Sequence, residues 1–91
     1  MTTLGRIHAA IRENRYEVTG HALEEADDDG FWEADLRHAV LEGKLVRRYT
    51  ADPRGARYEL LGPARDGREM SVVCRFTELG KLKIITVYAK P

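Results

Sequence analysis

Gly43-Lys44-Leu45-Val46-Arg47-Arg48-Tyr49-Thr50 is the stretch where the chain changes period. Before it, apolar residues recur at helical spacing; after it, they alternate as in a half-buried strand. Upstream, Leu4, Ile7 and Ile11 with Ala9 and Ala10 predict a helix over 3–14. Tyr16-Glu17-Val18 reads as a short extended piece. Thr19 then supplies an N-cap for a helix from His21 to Asp28, with Ala22, Leu23 and Ala26 inward and Gly30 as a left-handed C-cap. A third helix follows from Phe31 to Glu42, burying Phe31, Leu36, Ala39 and Val40, and Gly43 ends it. Asp35 falls near its first turn, where the helix dipole favours a carboxylate.

Downstream, 45–50, 57–61, 70–76 and 82–88 read as strands. Asp52-Pro53-Arg54-Gly55, Arg65-Asp66-Gly67-Arg68 and Glu78-Leu79-Gly80-Lys81 are the turns between them. The last two strands carry near-continuous apolar runs, which predicts a central place in the sheet. Helices over 3–42 followed by a β-meander over 44–89 define one domain, 1–91, of the α+β class. The predicted architecture is N-terminal helices packed on one face of a four-stranded antiparallel β-sheet.

Composition narrows the function classes. The chain is 43% apolar and 33% charged, which suits a folded domain and not a disordered one. No apolar run approaches the roughly 20 residues of a membrane-crossing helix, and Met1-Thr2-Thr3-Leu4-Gly5-Arg6 lacks a signal-peptide pattern. Cys74 is the one cysteine and has no internal disulfide partner, so a reduced, cytoplasmic protein with no membrane partner is expected. The net charge of zero conceals a split: residues 1–43 carry −6 and residues 44–91 carry +6. Such a split predicts either a basic surface built by the second half or attraction between the halves.

Three kinds of group are needed to cleave RNA without a metal: a base for the 2′-hydroxyl, an acid for the leaving oxygen, and cations for the phosphate. His21 is the natural proton carrier, and its place at a helix start puts it beside free backbone N–H groups. Arg47, Arg57 and Arg75 are candidates for phosphate contact, because guanidinium matches phosphate bidentately. Alternation puts Met70, Val72, Cys74 and Phe76 on the core face, so Arg75 projects from the other face. An ion pair of Arg75 with Glu59 or Glu69 is the competing explanation. Tyr88 can donate a proton, stack on a base, or simply close the core. In the last strand Leu82, Ile84, Thr86 and Tyr88 alternate with Lys83, Ile85, Val87 and Ala89, and the set that joins Arg75 depends on the pairing register.

Other signals carry less. His8 and His38 lack metal-ligand spacing, and Asp27-Asp28-Asp29-Gly30 is not followed by a calcium-loop pattern. No metal or cofactor is expected. There is no phosphate-binding glycine loop and no nucleophile elbow. Cys74 reads as an inert core residue. Trp32 stands where a polar cap is usual, either exposed as a partner surface or buried against the first helix.

In their order and spacing, several pieces resemble the bacterial domain-of-unknown-function family 4258. These are Thr19-Gly20-His21-Ala22-Leu23-Glu24, Gly30-Phe31, Asp35-Leu36, Gly43, Val46 with Tyr49, Arg57-Tyr58 through Gly62, Asp66-Gly67-Arg68, Val72-Val73 and Ile84-Ile85-Thr86-Val87-Tyr88. That family is similar to RelE-like and barnase-like ribonuclease toxins of toxin–antitoxin systems. The resemblance implies a metal-independent endoribonuclease acting on RNA, messenger RNA at the ribosome included, with a cognate antitoxin as partner. It carries a catalytic role onto His21 and Tyr88; by the arginine chemistry above, Arg75 would join them at the catalytic centre, with Arg57 and Arg47 as substrate contacts. Two positions depart from the family pattern: Glu25 stands where arginine is common, and Trp32 where serine is. A carboxylate at 25 would repel a phosphate. The alternative is a catalytically inactive binding module of the same fold, acting through a protein partner or as a homodimer across a sheet edge.

Overall fold

The computed structural model describes residues 1–91 as three helices and five strands in one sheet. Their order is α1 (Thr3–Arg12), β1 (Tyr16–Val18), α2 (Gly20–Asp28), α3 (Glu33–Glu42), β2 (Lys44–Tyr49), β3 (Arg57–Pro63), β4 (Glu69–Phe76) and β5 (Leu82–Ala89). The sheet runs β1-β5-β4-β3-β2, with β1 parallel to β5 and every other pair antiparallel.

The α+β class is as expected, but the four-stranded antiparallel sheet is not. Tyr16–Val18 adds a fifth strand and makes the sheet mixed, with Tyr16 opposite Leu82 and Val18 opposite Ile84. Three residues are too few to show alternation, and their partner lies at the far end of the chain, so no local pattern reveals the pairing. β4 and β5 do lie inside the sheet, as their apolar runs predict.

Each helix ends for a local reason. The Thr2 hydroxyl accepts the Gly5 N–H at the start of α1, and Asn14, at φ 58°, turns the chain out after it. The first helix therefore stops at Arg12, two residues short of the predicted end. Thr19 caps α2 through the Ala22 N–H at 3.1 Å. Gly30, at φ 74°, closes α2 in the left-handed region, as expected. The third helix starts at Glu33 rather than Phe31, because Trp32 is its N-cap.

Ile7, Ile11, Leu36, Leu60, Met70, Leu82 and Ile84 are fully buried between the helices and one sheet face. Leu23 is not in that core: it is 49% exposed, contrary to the inward position predicted for it. α3 crosses β3 so closely that a Cβ at Gly62 would overlap the Ala39 carbonyl oxygen. His8 and His38 are spent on packing too. Their ring nitrogens meet the Val40 and Pro63 carbonyl oxygens at 2.9 and 2.8 Å, tying α3 to α1 and to β3.

Candidate functional site

A bulge in β5 decides which side chains share the open face of the sheet. Cys74 pairs with Ile84 and Val73 with Thr86, leaving Ile85 as the extra residue. The bulge splits the alternation: Leu82 and Ile84 face the core before it and Val87 after it. Tyr88 consequently lies opposite Ser71 and Lys83 opposite Arg75, all on the open face. A single alternation through the strand, with Leu82, Ile84, Thr86 and Tyr88 together, does not occur.

A second bulge, at Val46, sets the other side of the face. It separates the pair Leu45–Leu60 from the pair Arg47–Glu59. Arg47 therefore joins Glu59 on the open face, while Arg48 pairs with Tyr58 and lies 5.9 Å from its ring. Four of the five predicted site residues (Arg47, Arg57, Arg75 and Tyr88) thus belong to one surface.

The centre of that surface is Glu59, which sequence reasoning treated only as an ion-pair partner. Its Oε2 accepts hydrogen bonds from the Ser71 hydroxyl at 2.6 Å and the Tyr88 hydroxyl at 3.3 Å. Its Oε1 accepts one from the Tyr49 hydroxyl at 3.4 Å, and Tyr49 in turn accepts from Arg47 Nη1 at 3.3 Å. The Ser71 hydrogen bond leads in holding the Glu59 carboxyl below its ordinary value, against the opposing effect of burial. A glutamate alternating with apolar residues in a predicted strand was the available signal.

Arg75 pairs with neither Glu59 nor Glu69. Its Nη1 stands 3.9 Å from Asp52 Oδ2, and Arg57 Nε stands 3.3 Å from the same oxygen. Asp52 comes from the turn between β2 and β3, and Arg54 of that turn donates its backbone N–H to Asp52 Oδ1 at 2.9 Å. That backbone bond is foremost in lowering the Asp52 carboxyl. No cleft in the structure is lined by Arg75 or Tyr88.

His21 is placed elsewhere. It is the second residue of α2, its side chain is 67% exposed, and its Nε2 lies 3.3 Å from Glu25 Oε1. Glu25 Oε1 also accepts the Val87 N–H at 3.1 Å. Tyr88 reaches the other way, over Ser71 to Glu59 on β3. No hydrogen bond joins His21 to Tyr88, Arg75, Arg57 or Arg47.

The departure at Glu25 has a structural explanation. Beyond Ile84 the edge of β5 has no strand beside it, and α2 covers that edge with side chains. Thr19 donates its hydroxyl to the Ile85 carbonyl at 3.2 Å, Glu25 accepts from Val87, and Asp29 Oδ2 accepts the Ala89 N–H at 2.9 Å. An arginine at 25 would set a donor against a donor.

At Trp32 the structure selects exposure, at 74%. The capping function passes to Asp35, whose carboxylate accepts the Trp32 N–H at 2.8 Å and the Arg65 N–H and Nε–H at 3.1 and 3.0 Å. Cys74 is buried as expected, and burial pushes its thiol up to about 12. No three His, Cys, Asp or Glu side chains converge as a metal-binding set, and no helix is long and apolar enough to cross a membrane.

Fold and site together define a small α+β domain with a mixed sheet, helices on one face, and an arginine- and tyrosine-lined open face organised by two carboxylates. The chain belongs to the family described as Domain of unknown function (DUF4258), whose model matches residues 18–89. The match begins at Val18, the last residue of β1, and takes in both bulged strands. No curated protein and no solved structure matches the chain.

Proposed function

We propose that this domain is a metal-independent endoribonuclease of the RelE-like, barnase-like toxin type, and that RNA binds across the open face of its sheet. The observation that carries this reading is the meeting of Glu59, Tyr88, Ser71, Tyr49 and Arg47 in one hydrogen-bonded group beside Arg57 and Arg75. An ionised carboxylate can take the proton of a ribose 2′-hydroxyl, and that oxygen then attacks the adjacent phosphorus. Tyr88, within hydrogen-bond reach of the same carboxylate, donates its proton to the departing 5′-oxygen, and a 2′,3′-cyclic phosphate remains. The arginines neutralise the charge that gathers on the phosphate. Glu59 takes the role of base in this scheme. His21, held by Glu25 on α2, is a peripheral group.

Messenger RNA at the ribosome is the proposed substrate, an antitoxin the proposed partner, and the cytoplasm the proposed location. The test is incubation of the pure protein with RNA and with ribosomes. Cleavage by the wild type that falls about 10²-fold or more in Glu59→Gln, and far less in His21→Ala, is the expected result. No cleavage under any condition would remove the enzymatic reading.

The second reading is a non-catalytic binding module, in which the same face holds a protein partner or a second copy. It is favoured by the shared pairing of Arg57 and Arg75 with Asp52, whose carboxylate competes with a phosphate for both. RNA cleavage separates the two readings: a binding module forms a stable complex or dimer, seen by light scattering, and the wild type leaves RNA and ribosomes uncut.

A further inference from the structure

Arg54, Arg57 and Arg75 converge on one carboxylate, Asp52, whose side chain is only 9% exposed. Three guanidinium groups around one carboxylate leave a local excess of positive charge. The fit is also incomplete. Arg57 Nε lies 3.3 Å from Asp52 Oδ2 without hydrogen-bond geometry, and it is the one buried side-chain nitrogen or oxygen in the chain that has no hydrogen-bond partner. Arg75 Nη1, at 3.9 Å, is too far to donate, and its side chain is 14% exposed. Only Arg54 makes true hydrogen bonds to the Asp52 carboxylate, through its backbone N–H and, at 3.4 Å, its Nε–H.

A buried donor without an acceptor is costly, and two half-used guanidinium groups on one oxygen are an unusual use of arginine. A tetrahedral anion would suit them better. Its oxygens spread more widely than a carboxylate's and can engage several forks at once. Arg54, Arg57 and Asp52 line an open cleft of about 650 Å³, together with Tyr49 and Pro53. Arg57 stacks over the Tyr49 ring at 5.0 Å, which fixes one wall.

We propose that the turn between β2 and β3 is a phosphate-binding subsite, and that Asp52 occupies the place of the phosphate in the free protein. A bound phosphate displaces the carboxylate and takes over the Arg54 Nε–H, together with Arg57 Nε and Arg75 Nη1. The natural phosphate is one of an RNA backbone, and to that extent the inference rests on the function proposed above. The subsite itself is defined by phosphate chemistry alone.

The experiment compares the wild type with Asp52→Asn, which keeps the oxygen that accepts the Arg54 N–H but removes the charge. Inorganic phosphate is the first probe, with chloride at equal ionic strength as the control. Ten-millimolar phosphate is expected to raise the Tm of Asp52→Asn by about 5 °C and that of the wild type by less than half as much. Adding Arg54→Ala to Asp52→Asn should cancel the gain. An equal response of wild type and Asp52→Asn, or a gain that survives Arg54→Ala, overturns the subsite. If Asp52→Asn fails to fold, Arg54→Ala alone decides: a smaller phosphate response than wild type supports the subsite, and an unchanged one overturns it.

A short single-stranded RNA is the second probe. Asp52→Asn should bind it about tenfold more tightly at low salt, with the log–log salt slope steeper by about 0.7 for the added phosphate contact. Phosphate binding without RNA binding overturns the RNA function and leaves a small-phosphate subsite. RNA binding with no phosphate gain does the reverse.

Discussion

Asp35 shows how much one side chain can organise. It was expected to complement a helix dipole, and it does more, joining the start of α3 to the β3–β4 turn through Arg65. Burial opposes its ionisation, but the Arg65 side chain and the Trp32 and Arg65 N–H groups together hold its carboxyl at about 2. Because Arg65 is half exposed, the net worth of that arrangement is about 1–2 kcal/mol at neutral pH. Asp35→Ala should lower the stability from urea unfolding by at least that amount, with α3 fraying first at Glu33. Gly62 is the opposite case, a residue valued for having no side chain. Gly62→Ala should cost about 2–3 kcal/mol, because α3 must lift from β3 to clear the Ala39 carbonyl, and a Tm within a degree of wild type would contradict this.

At the scale of elements, α2 acts as a substitute strand. Its Thr19, Glu25 and Asp29 meet the successive polar groups of β5 that a neighbouring strand would otherwise bond. Glu25→Ala should leave the Val87 N–H without an acceptor, speed its hydrogen exchange and cost about 1–2 kcal/mol, while Glu25→Gln should restore most of the protection. The elements themselves were legible in the sequence, because α1, α2, α3 and the strands from β2 onward each repeat their period long enough to be read. The bulges at Val46 and Ile85 were not. A bulge leaves the residue types unchanged and shifts only their phase, so Tyr88 could not be assigned to a face. The Glu59 cluster was hidden for the same reason: four strands contribute to it, and its meaning lies in their register. His21, conspicuous in sequence, belongs instead to the helix that covers an edge.

For the whole molecule, acid is the informative perturbant. The carboxyls of Asp35, Asp52, Glu59 and Asp66 are all held below their ordinary values, by donors on other elements or within their own turns. Groups of this kind contribute fully above the unfolded value of about 4, and their contribution is lost as pH falls through the lower folded value. The urea midpoint should therefore be level between about pH 7 and 5 and fall from about pH 4 toward 2; a rise on acidification would refute the assignment. The parallel pairing of β1 with β5 has a consequence in time. Residues 16–18 are synthesised more than 60 residues before residues 82–84, which they pair with. The nascent chain must therefore carry its first strand unpaired until β5 has been made, and α2 must wait with it for the edge it covers. Folding of this domain should wait for β5 and be slow for a domain of this size, since its closing contacts span nearly the whole of it. A chain halted after Phe76 should remain sensitive to protease along α2, even with β2, β3 and β4 already made.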